Sequence, residues 1–281
     1  MGKLNTIYII SKGRPQCRTA QTLTKYGYTG EWFIVCGNND ETIPEYKKIW
    51  GDDKILIFDW YEEVKTTNLL DNFGVENMSS GAVPVRNATR KISANRGELR
   101  HWQFDDDYVS FYKINPPNST TVWHKLDGNK LETELSKLSQ FAHKAQLNNI
   151  GFVPGSDSRP ETVKQISKRV FNAHNLPNDP DLFHTWKGRM NDDLINAIEI
   201  FQKGGYELSV KYMQLVLAPT QSEQGGNTDI YELSGTVRKT AYAVMIDPKN
   251  VKLVIAHGRY HHQVAWQRLA PRLIRETHAK I

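Results

Sequence analysis

The sequence has little cysteine and no long apolar run, and both shortages narrow the class of protein. Two cysteines, Cys17 and Cys36, occur in 281 residues. They are too few for a disulfide framework and are not spaced as zinc ligands, which agrees with a reducing compartment. No segment approaches the roughly 18 consecutive apolar residues of a membrane-spanning helix, and the N-terminus lacks the layout of a secretion signal. The composition therefore predicts a soluble cytoplasmic protein with no membrane partner.

Acidic residues are fewer than basic ones in this sequence. The net charge is +5 and the pI is near 9.0, which favours an anionic partner without proving one. The stretch after Gly258 is locally basic: it holds Arg259, Arg268, Arg272, Arg275 and Lys280 against a single acid, Glu276, with Tyr260 and Trp266 among them. Such a segment suits a phosphate backbone with stacked bases. An amphipathic helix with a solvated basic face explains it equally well.

Apolar runs alternate with helical patterns in the first part of the chain. Runs at 7–10, 32–36 and 54–60 read as buried strands with helices between them, which is typical of a parallel sheet covered by helices. We therefore expect an α/β fold with a mostly parallel central sheet, helices on both faces and a Rossmann-like N-terminal half. The 281 residues fit a single domain. A long loop or short helices are expected at 60–80, and the apolar run 240–246 is expected to be a strand.

Three consecutive aspartates follow an apolar strand in the stretch HWQFDDDYV. The strand should deliver them to its C-terminal edge, where open α/β sheets bind ligands. Alternate side chains of an extended segment point the same way, so Asp105 and Asp107 could share one Mg²⁺ or Mn²⁺ while Asp106 faces away. A polar turn is the alternative interpretation.

Two basic segments are candidates for phosphate contacts. The turn SKGRP follows the first strand at the same expected edge, where Lys12 and Arg14 could meet a pyrophosphate and Gly13 would let the backbone approach it. Arg86 and Asn87, at the start of a predicted helix, could contact a diphosphate or uracil. They could equally be an exposed arginine and a local cap.

An acidic turn and a histidine group complete the candidates. Asp192 and Asp193 begin a predicted helix, where one could be a general base, although capping favours acids at such positions anyway. His261 and His262 follow a late apolar strand and could add a nitrogen ligand to a metal site. Surface histidines are the commoner case.

Five segments in this order resemble one family. YIISKGRP, VPVRN, WQFDDD, NDD and GRYHHQVAW together are similar to the TET-associated glycosyltransferases of bacteriophages, from about Ile7 to Trp266. The resemblance implies a GT-A fold that moves a sugar from a nucleotide sugar, expected to be a UDP-sugar, to 5-hydroxymethylcytosine in phage DNA. Residues 1–110 would bind the donor, and residues 111–281 would bind the double-stranded acceptor in the host cytoplasm.

The resemblance also implies roles for individual residues. Asp105 and Asp107 would hold Mn²⁺ or Mg²⁺, with His261 or His262 as a further ligand, and Asp193 would be the base beside Asp192. The donor would be bound by Ser11, Lys12, Gly13, Arg14, Arg86, Asn87, Asp105 and Asp106. DNA would be contacted by Lys168, Arg169, Arg189, Arg259, Arg268 and Arg272.

Three other functions stay open on the sequence. A transferase acting on a glycan, lipid or protein would use the same donor site. A catalytically silent DNA-binding module with a degenerate transferase fold would bind DNA without transferring a sugar. A metal-dependent nuclease or nucleotidyltransferase would also need clustered aspartates.

Overall fold

The computed structural model describes residues 2–74, 79–114, 123–154, 166–167, 170–218, 236–256 and 258–271. Within these residues the strands are β1 Ile7–Ile10, β2 Trp32–Gly37, β3 Ile55–Phe58, β4 Arg100–Asp105, β5 Tyr108–Ile114, β6 Trp123–Lys125, β7 Asn149–Pro154, β8 Ile166–Ser167, β9 Asn172–Pro177, β10 Glu207–Leu217, β11 Val251–Ala256 and β12 Arg259–Val264. The helices there are α1 Arg18–Lys25, α2 Ile43–Trp50, α3 Trp60–Thr66, α4 Val83–Asn95, α5 Gly128–Lys144, α6 Asp192–Gln202, α7 Val237–Ile246 and α8 Trp266–Leu269. None of these helices has the length and hydropathy needed to cross a membrane.

The main sheet is mixed, so the expectation of a mostly parallel sheet is wrong. Its strand order is β3-β2-β1-β4-β9-β7-β10-β5-β6, with β8 beside β10. The first four strands in this order run parallel, as expected for the N-terminal half, and β7 and β10 are also parallel. Strand β9 runs antiparallel between β4 and β7, and β5, β6 and β8 pair antiparallel too. The connection from β5 to β6 is too short for the helical crossover that parallel neighbours require.

Helices cover both faces of the sheet, as predicted. On one face Ile7 and Ile9 of β1 join a core cluster that includes Leu131 and Leu135 of α5. On the other face Tyr8 packs in a cluster that Val85 and Ile92 of α4 also contact. Alternate residues of β1 thus serve two cores, which explains why the whole strand is apolar.

One segment differs from the sequence-based expectation, and a second, at 60–80, agrees with the short helices expected there. The run 240–246, expected as a strand, lies in helix α7, where Thr240 and Ala243 are buried one turn apart. A short apolar run does not distinguish strand from helix by periodicity alone. The segment after β3 begins with helix α3, whose first turn is capped by the Asp59 side chain, which accepts a hydrogen bond from the amide of Glu62 at 3.2 Å.

Candidate functional site

The predicted acidic and basic turns lie side by side at the end of β1 and β4. These strands are parallel neighbours, and Ile10 pairs with Asp105, so the segments after both strands emerge together. Thr19 of α1 fixes the aspartate turn, because its hydroxyl donates to the Asp105 carbonyl at 2.6 Å and accepts from the Tyr108 amide at 2.9 Å. The Thr19 amide donates to the Asp106 carbonyl at 3.1 Å. The three carboxylates are therefore held on a rigid turn.

Asp106 faces into the protein, and the expectation that it faces away from an ion shared by Asp105 and Asp107 stays a prediction. Its carboxylate accepts hydrogen bonds from the Ser11 hydroxyl at 2.6 Å and the Arg14 guanidinium at 2.9 Å. Burial raises the pKa of Asp106, while the Ser11 and Arg14 contacts oppose that rise. Strand alternation alone does not decide this, because β4 ends at Asp105 and the chain turns at the next residue. Asp106 thus fastens the basic turn to the acidic one.

Further contacts shape the basic turn. The Gly13 amide donates to the buried Asp40 carboxylate at 2.8 Å, and Gly13 has a φ of +69°, a backbone region that favours glycine. The Tyr46 hydroxyl accepts from the Arg14 amide at 2.9 Å and lies 2.6 Å from the Ser11 hydroxyl. The turn is therefore fixed mainly through its backbone and Ser11.

Arg86 joins the two acidic motifs. Its guanidinium donates to Asp105 at 3.1 Å and to Asp192 at 2.7 Å, and it lies 4.9 Å from the centroid of the Trp186 ring. Burial alone lowers the pKa of Arg86, but the charges of Asp105 and Asp192 outweigh it and raise the pKa above its usual value. Among the described residues, nitrogen Nη1 of Arg86 is buried without a hydrogen-bond partner.

Asn87 fixes the position of Trp186 beside Arg86. It is buried, and its amide donates to the carbonyl of Trp186 at 3.1 Å while its oxygen accepts from the Trp186 amide at 2.9 Å. Asn87 therefore holds the tryptophan on which the Arg86 guanidinium lies.

Asp193 lies beside Asp192 at the N-terminus of α6. Its carboxylate accepts from the Leu194 amide at 2.7 Å. Desolvation first, and the neighbouring charge of Asp192 second, raise the pKa of Asp193 to about 7. The helix start is fixed by Asn191, which has a φ of +58° and donates to the Lys239 carbonyl of α7 at 2.6 Å. A carboxyl group with this pKa can exchange a proton near neutral pH.

Asp107 has the fewest partners of the three consecutive acids. Its Oδ1 atom is buried and has no hydrogen-bond partner within the described part of the chain. Desolvation, followed by the charges of Asp105 and Asp106, raises the pKa of Asp107 to about 7. Its backbone carbonyl accepts from the Ala218 amide at 2.9 Å, which ties the turn to the end of β10. The carboxylate of Asp107 therefore remains the least satisfied group in the cluster.

The two candidate histidines lie on opposite faces of the β11–β12 hairpin. His262 pairs with Leu253, and its Nδ1 atom lies 3.5 Å from the Asn191 amide nitrogen, on the side of α6. His261 pairs with Val254 and is exposed. The described residues contain no group of three or more His, Cys, Asp or Glu side chains arranged around one ion. A histidine ligand therefore stays a prediction, and His262 is the one nearer the carboxylates.

Arg189 is a structural residue, so its prediction as a DNA contact is wrong. It is 1% exposed, and its guanidinium makes two hydrogen bonds to Asp71, at 2.9 and 2.8 Å. It also donates to the carbonyls of Phe73 at 2.7 Å and Ser79 at 2.6 Å. Its charge is used to hold the segment before α4, which no local sequence pattern reveals.

The other predicted DNA contacts divide into two groups. Arg259 and Arg268 are exposed on β12 and α8. Lys168, Arg169 and Arg272 lie outside the described residues.

Three residues at the site escaped the sequence analysis. Asp40 and Tyr46 hold the basic turn, and Trp60 follows β3 with the Lys12 ammonium 5.5 Å from its ring centroid. Trp60 lies at the same end of the parallel strands as Ser11 and Asp105, so the rule that located the aspartates could have found it. Asp40 and Tyr46 carry no such signal, because a single polar residue in a turn or helix is common.

Comparison with known proteins supports the family resemblance. The family model described as TET-Associated Glycosyltransferase matches residues 5–226. No curated protein matches the chain. One solved structure that matches is the crystal structure of GalNAc-T7 with UDP, GalNAc and Mn²⁺, with 12% identity, a TM-score of 0.42 and coverage of 86% of this chain and 48% of that one. This chain thus spans about half the length of that protein, and the overlap is too loose to bear on function. Because the family model covers most of the sequence, the chain belongs to the TET-associated glycosyltransferase family.

Proposed function

We propose that this protein has a GT-A fold and transfers a sugar from a nucleotide sugar, a UDP-sugar, to the hydroxymethyl group of 5-hydroxymethylcytosine in double-stranded DNA. Family membership supports the reaction class. The DNA acceptor, the metal and the residue roles below are proposals.

The bridge made by Arg86 is the observation that carries the proposal. One buried guanidinium contacts Asp105 at the end of β4 and Asp192 at the start of α6. In a transfer that inverts the anomeric centre, the leaving group and the attacking group lie on opposite sides of one reacting atom, so donor-binding and proton-accepting residues must be neighbours. The bridge makes the acidic turn and the α6 acids neighbours although they are far apart in the sequence.

The donor side consists of the basic turn and the aspartates. Lys12 and Arg14 provide positive charge, Gly13 lets backbone approach a phosphate, and Trp60 offers a flat surface for a nucleobase. The buried oxygen of Asp107, which has no partner among the described residues, fits a divalent metal held by Asp105 and Asp107, since hard cations prefer carboxylate oxygens. When bound, such a cation supplies positive charge near the departing diphosphate.

The acceptor side consists of the start of α6 and the hairpin β11–β12. In a transfer that inverts the anomeric centre, Asp193 accepts the proton of the hydroxymethyl group as its oxygen bonds to the anomeric carbon. The bond from that carbon to the diphosphate breaks, and the electron pair leaves with the nucleoside diphosphate. Lys12 and Arg14 stabilise the charge that develops there. Asp193 suits this role because a pKa of about 7 makes it a stronger base than an ordinary aspartate, while about half of it is still carboxylate near neutral pH.

The test is transfer by the purified protein. A duplex containing 5-hydroxymethylcytosine is incubated with Mn²⁺ and, in separate reactions, UDP-glucose, UDP-N-acetylglucosamine and UDP-arabinose, and its nucleosides are analysed by mass spectrometry. The expected product is a cytosine nucleoside heavier by one sugar residue. A duplex with unmodified cytosine is the matched control.

Two results would overturn the proposal. Hydrolysis or transfer to glycan, lipid or peptide acceptors, with none to DNA, would assign the protein to a different acceptor class. Equal product formation by wild type and Asp193→Asn would remove Asp193 as the base.

A further inference from the structure

The β11–β12 hairpin carries an apolar face that is partly exposed. Val251, Leu253 and Ile255 alternate along β11 and therefore share one face. Val251 is 1% exposed, Leu253 is 46% exposed and Ile255 is 71% exposed. The face is thus buried at the base of the hairpin and open at its tip.

The base of the hairpin is anchored, and its tip is narrow. Val251 packs in a cluster with Leu194 of α6 and Ala243 of α7. At the tip Ala256 pairs with Arg259, so only two residues connect the strands, and one of them, Gly258, has a φ of +71°. A two-stranded ribbon is marginal alone, but this packing supports it.

Two large side chains lie opposite each other on the open face at the tip of the hairpin. Ile255 lies directly opposite Tyr260, which is 42% exposed. Directly opposed residues of an antiparallel pair lie on the same face with their side chains in reach of each other. An exposed aliphatic and aromatic pair at a hairpin tip is costly in water and prone to association, which argues for a partner that covers it.

The charge around this pair fits a polyanion. Residues 248–271 contain no aspartate or glutamate, and their cationic side chains are Lys249, Lys252, Arg259 and Arg268. Lys252 and Arg259 lie on the hairpin face opposite to Ile255 and Tyr260, and both are exposed. Cations that flank an apolar tip suit nucleic acid, whose phosphates surround stacked bases.

The open face is also the one nearer the candidate site. His262 shares it and approaches Asn191, the residue before Asp192. A duplex that meets the tip therefore lies beside the start of α6.

We propose that Ile255 and Tyr260 form a wedge that enters the base stack of duplex DNA and holds it open beside the site, while Arg259 contacts the phosphates. The proposal rests on the DNA acceptor proposed above and adds a means of exposing the base. A hydroxymethyl group within a duplex must be brought to the reacting atoms, and apolar wedges between base steps are one way to unstack a nucleotide.

The experiment measures unstacking without a sugar donor. A duplex with 2-aminopurine next to 5-hydroxymethylcytosine is titrated with protein, because unstacking of this base raises its fluorescence. Wild type should raise the fluorescence severalfold. At saturating protein, Ile255→Ser and Tyr260→Ser should each lose most of the rise, and both should unfold at the wild-type urea concentration. Phe141→Ser, which changes a side chain 50% exposed on α5, is the matched control and should behave as wild type.

Two further variant measurements separate the wedge from charge. Arg259→Gln should keep the rise at saturation but reduce the salt dependence of binding by about one phosphate contact. With donor present, Tyr260→Ser should reduce the rate of transfer to a paired base by about tenfold or more. The rate of transfer to the same base in a bulge, which is already unstacked, should fall by about twofold or less.

The outcomes separate the wedge from the proposed reaction. Transfer by wild type without a fluorescence rise would overturn the wedge and leave the reaction standing. A rise that depends on Ile255 and Tyr260, with no transfer from any donor, would overturn the reaction and leave the wedge standing. Absence of DNA binding would overturn both. The wedge would also be overturned if Ile255 and Tyr260 were needed for binding to phosphatidylserine vesicles or for dimer formation, but DNA was not unstacked.

Discussion

Replacing Arg86 by methionine tests the bridge between the acidic motifs. Methionine keeps much of the buried stem but leaves Asp105 and Asp192 without their shared cation. Removing one partner of a buried ion pair costs about 3–5 kcal/mol, because the remaining charge stays uncompensated. The side chains of Asp105 and Asp192 are 29% and 18% exposed, so water relieves part of this cost. We therefore expect the free energy of unfolding to fall by about 3 kcal/mol, the lower end of that range.

The assay is urea unfolding at neutral pH in the presence of a chelator, so that no bound cation compensates the acids. Arg90→Met is the matched control on the same helix, because Arg90 donates to the Asn178 carbonyl and lies over the Phe183 ring. Loss of such a hydrogen bond, whose donor is charged, costs about 1.5–3 kcal/mol, and it leaves no carboxylate uncompensated.

A double variant isolates the electrostatic part. Adding Asp192→Asn to Arg86→Met removes one uncompensated carboxylate and should restore about 1 kcal/mol or more. Equal losses in Arg86→Met and Arg90→Met, with no recovery in the double variant, would refute the bridge as a stabilising element.

Three further predictions follow from the same site. Because the carboxylate form of Asp193 accepts the proton, kcat should rise with pH through about 7. Asp193→Asn should lose nearly all activity at every pH. A flat pH profile of the wild type in initial-rate assays would contradict this. Asp106→Asn should weaken donor binding about tenfold by releasing Arg14, as titration calorimetry with UDP would measure; an unchanged Kd would contradict it. Arg189→Met should lower the free energy of unfolding by about 3–5 kcal/mol, since the Asp71 carboxylate loses its cation. Normal stability with a reduced salt dependence of DNA binding would return Arg189 to the DNA interface.

The sequence predicted the parallel half of the sheet because that half follows local rules. Ile7–Ile10 is apolar throughout since both of its faces are covered, and helices separate the strands that follow. The position of the aspartates followed from the same rules, because a strand end in a parallel sheet fixes where the next residues emerge. The remainder of the sheet depends on where β9 and β10 pair, and no periodicity encodes that choice.

Side-chain partners far apart in sequence could not be predicted. Arg86 contacts an acid 106 residues away, and Arg189 contacts one 118 residues away. Both were basic residues near a predicted site, yet one bridges the acids of that site and the other is buried in a structural ion pair. A single sequence gives residue types and local spacing, whereas the fate of each charge is decided by the tertiary fold.

The three consecutive aspartates are equal in sequence but not in the structure. Asp105 is paired with Arg86, and Asp106 is bound by Ser11 and Arg14, so both have partners that offset their charge. Asp107 keeps a buried oxygen that has no hydrogen-bond partner among the described residues, beside two other carboxylates. An unpaired buried carboxylate is costly. A cation would therefore stabilise Asp107 more than it would stabilise Asp105 or Asp106. The proposed cation is therefore expected to depend on Asp107 most directly, whereas Asp106 serves it by holding the turn that carries Arg14.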